Sequence, residues 1–170
     1  QAMSFFAFNG FRFILGSLIL APFAWKGFNF TTFPPLAELR KELTMPLIAG
    51  AVLAIAAALQ QAGLEHTTAG NAGFFTSLYV IIVPFLLSFF WRHRILWQTW
   101  AAGGVAVLGA GLLSTAGLQF RLAPGDGLEL LGAFFWALHV MLVGKAVRQL
   151  DVLQFSAAQY AIAGLLNLAF

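Results

Sequence analysis

Residues 65–84 read EHTTAGNAGFFTSLYVIIVP. The stretch opens with small and polar residues, turns wholly apolar and stops at a proline. Thr76, Ser77 and Tyr79 stand among aromatics in its middle. No Asp, Glu, Lys or Arg follows Glu65 until Arg92. A helix on the surface of a water-soluble core keeps a charged or polar face. This one has no such face, so its surroundings are apolar on every side.

The rest of the chain has the same character. Of 170 residues, 61% are hydrophobic and 9% charged, and the mean hydropathy is +0.87. Soluble domains carry nearer ~25% charged residues. Such a chain cannot cover a water-facing surface, so its main solvent is lipid. At ~20 apolar residues per crossing, the length holds about six spans. They fall at 4–25, 46–64, 71–91, 98–116, 127–147 and from 153 to the end. Membrane-barrel strands alternate polar and apolar residues, and these segments do not. The expected fold is therefore all-α, a polytopic membrane helix bundle.

Charge and cysteine content exclude other classes. The net charge of +3 is small and spread between the apolar segments, unlike the concentrated basic face that binds nucleic acid. With no cysteine there is no disulfide, thiol catalysis or structural zinc site. No metal and no cofactor are expected. A haem would need two histidines at one depth, and His66 and His93 fall in loops. The start, QAMSFFAFNGFRF, lacks a basic region and a cleavage site, so it is no signal peptide. Both ends lie in or beside hydrophobic runs, from which we expect a piece of a longer protein.

Loop charges orient the spans. Lys26, Arg40 and Lys41 lie in the first loop, Arg92 and Arg94 in the third, Lys145 and Arg148 in the fifth. The second loop has no Lys or Arg, and the fourth has only Arg121. The positive-inside rule makes the odd-numbered loops cytoplasmic, in a cytoplasmic (inner) membrane of bacterial type. Trp25, Trp91, Trp97 and Trp100 fall at the same ends, where indoles sit among headgroups. In the long first loop, LAELRKEL reads as a short surface helix after Pro34 and Pro35, with Pro46 opening the next span. Small-residue rows predict close helix packing: Gly50, Ala54, Ala58 and Ala62 in the second span, and Ala102, Ala106 and Ala110 in the fourth, with Gly103, Gly104, Gly109 and Gly111 nearby.

Hydrophilic groups inside a span are costly and so are candidates for function. Arg12 either holds an anionic or polar solute group in a cavity or neutralises helix carbonyls. His139 is either a proton-carrying or solute-binding imidazole or a neutral interhelical bonding group. Tyr79, with Ser77 and Thr76, lines a cavity, or its neighbours bond their own backbone. Gln60, Gln159 and Tyr160 also lie within spans. Pro84 removes a backbone bond and reads as a kink or a hinge. Glu65, Glu129, Asp126 and Asp151 fall near boundaries. Enzyme readings fail: there is no serine in a G-x-S-G context, no pair of deep aspartates, and no phosphate-cradling glycine loop with lysine.

The run GLEHTTAGNAGFFTSLYVIIVP, followed by a basic turn and GGVAVLGAGLLS, resembles the EamA-type transporters of the drug/metabolite transporter superfamily. FNGFRFILGSLILAP is similar to that family's arginine-bearing second helix, and GAFFWALHVMLVGKAVRQLD to its sixth. The resemblance covers essentially the whole chain. It implies an inverted repeat of five plus five helices with both termini cytoplasmic, of which this chain holds helices two to seven. Residues 1–118 then belong to the first repeat and 119–170 to the second. Such a repeat leaves faint internal similarity; setting Gly16 on Gly164 aligns RFILGSLILA with YAIAGLLNLA. Many members carry an acid in the turn after the helix matching 71–91, and here that turn is WRHRILW. No role of that acid carries over.

The resemblance implies a secondary transporter for a small metabolite, amino acid or drug-like solute. The cavity-lining set is Arg12, Gln60, Ser77, Tyr79, His139 and Gln159, with Pro84 as hinge. Its partners are the solute, the bilayer and, in one assembly considered, a second copy in a homodimer. The competing expectations are a non-transporting scaffold and a lipid-linked-substrate flippase subunit. Substrate, direction and ion coupling stay open.

Overall fold

The computed structural model describes residues 4–25, 36–114 and 122–169. Among them it is helical, with no strand: α1 (Phe5–Trp25), α2 (Leu36–Leu64), α3 (Ala69–Ser77), α4 (Tyr79–Trp91), α5 (Trp97–Ser114), α6 (Asp126–Ala146) and α7 (Val152–Leu168). The expected surface prolines Pro34 and Pro35, the charges Lys26 and Arg121, and the 118/119 repeat boundary lie outside the described residues, as do the side chains of Trp25, Lys41 and Trp91.

Among the described residues four segments are long and apolar enough to cross a membrane: Phe5–Ala24, Leu43–Leu64, Ala69–Phe90 and Asp126–Ala146. Helix α7 is apolar but shorter, and α5 opens with the polar Gln98 and Thr99. Large apolar side chains point outward. On α1 alone Phe8, Phe11, Leu15, Leu18, Ile19 and Phe23 are exposed, and α5 exposes Val105, Leu108, Leu112 and Leu113. In water these rows would be a severe aggregation hazard; in lipid they are the solvated surface. The protein is a multi-pass membrane helix bundle.

The chain clusters into two compact units, Gln1–Ala58 with Met141–Phe170, and Leu59–Val140. The divisions fall inside α2 and inside α6.

In the first unit, α1 runs antiparallel to α7. Gly10 meets Leu168 and the Gly164 carbonyl, Gly16 meets Tyr160, and Gly164 meets Ile14. Farther along, Ser17 Oγ donates to the Ala157 carbonyl at 2.8 Å and Gln154 Nε2 donates to the Ala24 carbonyl at 3.4 Å. Glycines set this spacing, because apolar burial gives no drive in lipid and backbones must come close for dispersion to act. Helix α2 joins through Gly50, which abuts the Gln159 carbonyl and Ile162. Ala49, Ala146 and Phe155 form a small core, flanked by Met45, Leu142, Val143 and Leu150. Asp151 starts α7 by accepting the Leu153 and Gln154 amides, both at 3.0 Å.

In the second unit, α3 and α4 lie on α5. Ile81 fills the space beside Gly103, and Phe74 that beside Gly111. The tight row on α5 is thus Gly103 and Gly111, offset by one residue from the expected alanine row; Ala102 and Ala106 are exposed. One residue is a 100° turn of the helix, and the bulky Ile81 and Phe74 need the glycine side of it. A Cβ at Gly73 would meet nothing within 4 Å.

Two boundaries differ from expectation. Residues 36–64 form one helix with Pro46 inside it, so the surface helix and the second span are continuous. Proline removes the bond to the carbonyl four residues back, which here is Glu42, near the end of the span that water can reach. The segment 69–91 is interrupted at Leu78, six residues before Pro84, and Pro84 sits buried inside α4. Ser77 explains the break. Its Oγ donates to the Phe74 carbonyl at 2.7 Å, the acceptor that a regular helix would give to the Leu78 amide. That amide turns instead to Phe75 at 3.2 Å. Helix α4 ends at Arg92, whose φ of 50° is left-handed, a conformation that ends helices but is uncommon outside glycine.

Candidate functional site

Hydrophilic groups of the second unit gather where α2, α3 and α6 meet. Thr68 caps α3, its Oγ1 accepting the Asn71 amide at 3.1 Å. Thr67 gives its hydroxyl to Asp126 Oδ1. Asn71 Nδ2 donates to both oxygens of Asp126, at 3.3 and 3.1 Å, and the Ala123 amide donates to Oδ2 at 2.8 Å. Asp126 is buried, and these donors hold its charge at the start of α6, where the helix dipole also favours an anion. Gly125 lets this turn press on the one after α2: its amide donates to the His66 carbonyl at 3.1 Å, and a Cβ there would overlap the Gly63 carbonyl.

One turn along α6 lies Glu129, fully buried. Thr76 Oγ1 donates to its Oε2 at 3.0 Å, and Gln60 Nε2 donates to Thr76 Oγ1 at 3.2 Å. Glu129 Oε1 has no hydrogen-bond partner among the described residues. Gly63 makes room for it: a Cβ there would fall 2.7 Å from Oε1.

The expected cavity residues divide between the units. Gln60, Ser77, Tyr79 and His139 belong to the second. Of these, Gln60 enters the Glu129 cluster, and Ser77 bonds its own helix. Tyr79 is half-buried as the first residue of α4. His139 is half-buried, its ring edge-on to the Trp136 indole with centroids 6.0 Å apart. The Trp136 Nε1 is buried with no partner among the described residues.

Arg12 and Gln159 belong to the first unit. Arg12 is exposed on the face of α1 that also carries Phe8 and Leu15, and its guanidinium lies 4.8 Å from the Phe13 ring centroid and 5.6 Å from that of Phe8. Aromatic faces attract such a cation most strongly where water is absent. Gln159 is buried against α2. The same unit holds Asn9, fully buried, whose Nδ2 donates to the Ala57 carbonyl at 3.2 Å, and Asn167, which bonds Ala163 at 2.9 Å. A cavity of about 640 Å³ opens beside Ser17, Ala21, Leu43, Pro46, Gln154 and Ala158. Its walls are mostly apolar, and its Ser17 and Gln154 side chains already bond backbone carbonyls.

Sequence reasoning passed over Asn9 and set Asp126 and Glu129 aside as lying near span boundaries. Asp126 and Glu129 are spaced three apart and so share a helix face. Two acids in the first turn also describe an ordinary solvated helix start, and only packing separates the two.

The sequence profile of the EamA-like transporter family matches residues 1–115. The chain belongs to the EamA-like transporter family. It is also similar to a protein of Archaeoglobus fulgidus described as an uncharacterized transporter, with 30% identity over 153 residues. That match covers 87% of this chain and 42% of the relative, so the chain spans about two-fifths of the curated relative's length. Its helices, apolar outward and glycine-packed where they meet, fit the membrane setting of that family.

Proposed function

We propose that this EamA-like protein is a secondary transporter moving a small metabolite, amino acid or drug-like solute across the cytoplasmic membrane by alternating access. One observation carries the reading: hydrophilic side chains are buried inside apolar membrane helices, with Asn9, Gln159 and Asn167 in one unit and Asn71, Asp126 and Glu129 in the other. Lipid makes such groups costly, and they persist where they bond one another or meet a hydrophilic cargo. Arg12, Tyr79, His139, Gln60, Ser77 and Gln159 are the residues assigned to that cargo.

Alternating access comes from one repeat rocking against the other. The antiparallel seating of α1 on α7 supports two inverted repeats, 1–118 and 119–170. Gly16 and Gly164, equated by the internal alignment, each face a large side chain of the opposite helix in that seam. The interruption at Leu78, rather than Pro84 alone, supplies the compliant point in the third span. The odd-numbered, basic loops face the cytoplasm.

The test is a flux screen of amino acids and metabolites in vesicles holding the full-length protein. Arg12→Ala and His139→Ala are expected to lower the flux of the transported solute by roughly tenfold or more at unchanged membrane expression. Wild-type rates in both variants retire the cavity assignment, and a wild-type protein that moves no solute retires the transporter reading.

A further inference from the structure

We infer that Glu129 is a proton-binding site through which solute movement is coupled to a proton gradient; the coupling rests on the transporter reading, whereas the site itself does not.

The hydrogen-bond direction around Glu129 identifies the ligand. Gln60 has only N–H donors on its amide nitrogen, so the Thr76 oxygen accepts from it. The single hydroxyl hydrogen of Thr76 then points to Glu129 Oε2. Oε2 is thereby supplied with a donor from the protein, and Oε1 is left fully buried without one. An isolated carboxylate in an apolar interior is among the costliest groups to keep charged, and binding a proton removes that charge. The proton belongs on Oε1, the oxygen that the hydrogen-bond chain leaves open.

Gly63 closes one side of Oε1 to a larger ligand. Oε1 lies against Gly63, where a methyl group would come within 2.7 Å of it and 2.9 Å of Glu129 Cγ. A bound Mg²⁺ or Ca²⁺ gathers about six to eight oxygens. Among the described residues no group of three His, Cys, Asp or Glu assembles for a metal. Among the described residues, Gly63 of α2 and Thr76 of α3 meet this carboxyl, with Gln60 of α2 bonded to Thr76, and none of them is a cation. The charged group facing it is Asp126 on its own helix, whose oxygens are already taken by Thr67, Asn71 and the Ala123 amide. In one transport cycle an O–H bond forms on Oε1 as a hydronium O–H bond on one side breaks, and it breaks again as a water molecule on the other side takes the proton to become hydronium.

Two measurements on the full-length protein test this. In detergent, the infrared difference spectrum between acid and alkaline suspensions is expected to contain a protonated-carboxyl band that Glu129→Gln deletes and Glu129→Asp displaces. The Asp variant distinguishes loss of the site from misfolding. An unchanged band in Glu129→Gln overturns the site whether or not any solute has been found. In vesicles, the ratio of solute flux with a pH gradient to flux without one is expected to exceed one in wild type and to fall to about one in Glu129→Gln. A wild-type ratio of one, or a variant ratio equal to a raised wild-type ratio, overturns the coupling. If no solute moves in wild type, the transporter reading fails and the infrared result still decides the site.

Discussion

Gly50 of α2 lies against the main chain of α7 at Gln159: a Cβ at Gly50 would stand 2.7 Å from that carbonyl oxygen and 2.9 Å from Ile162 Cβ. A carbonyl in the middle of a helix cannot step aside as the end of a flexible side chain can. The contact therefore fixes the separation of two helices.

Gly50→Ala is expected to destabilise the protein by about 1–3 kcal/mol, the range for overpacking a well-filled interior. Gly104→Ala is the control. Nothing lies within 4 Å of its Cβ position, and alanine gains up to about 1 kcal/mol over glycine in helix propensity. Thermal unfolding in detergent reads both, and equal midpoints for the two variants would contradict the close approach.

Ser77→Ala should return the Phe74 carbonyl to the Leu78 amide and mend the break between α3 and α4. Amide hydrogen exchange over residues 78–80 is expected to slow several-fold to about tenfold, the equivalent of one ordinary hydrogen bond. Exchange as fast as in wild type would assign the interruption to Pro84 instead.

Asp126→Ala removes the acceptor shared by Thr67, Asn71 and the Ala123 amide. A loss of about 1.5–3 kcal/mol is expected, the magnitude for hydrogen bonds to a charged group, with Asp126→Asn less harmful. Chemical denaturation measures the loss. Faster proteolysis between α2 and α3 should accompany it, since the carboxylate ties that turn to α6.

The chain has no cysteine, so single cysteines report topology without background. His66→Cys and Arg94→Cys replace exposed residues. A membrane-impermeant maleimide applied to sealed, right-side-out vesicles is expected to label the first and spare the second. Labelling of both from one face would overturn the orientation drawn from loop charge.

The helices were legible from composition because membrane spans are written in length and hydropathy alone: the third was expected at 71–91 and runs from Ala69 to Trp91 with one break. Glycine-rich surfaces were legible as well, but not which side of α5 is used, since Gly103 and Ala102 differ only by a 100° rotation. The Glu129 cluster was hidden for another reason. Gln60, Thr76 and Glu129 lie 16 and 53 residues apart along the chain, and no local pattern connects them. Ser77 shows the opposite case: its bond to Phe74 is local, and the tendency of helical hydroxyls to bond their own backbone anticipates it.

Helices α1 and α7 touch across 140 residues of sequence at Ser17 and Ala157. At a ribosomal pace of about 5–20 residues per second, α1 waits roughly 7–28 s in the bilayer before that partner is made. The Asn9 amide is sheltered early, by Ala57 on α2. During biogenesis the glycine groove of α1 therefore stands open to lipid, and the late arrival of α7 closes it last.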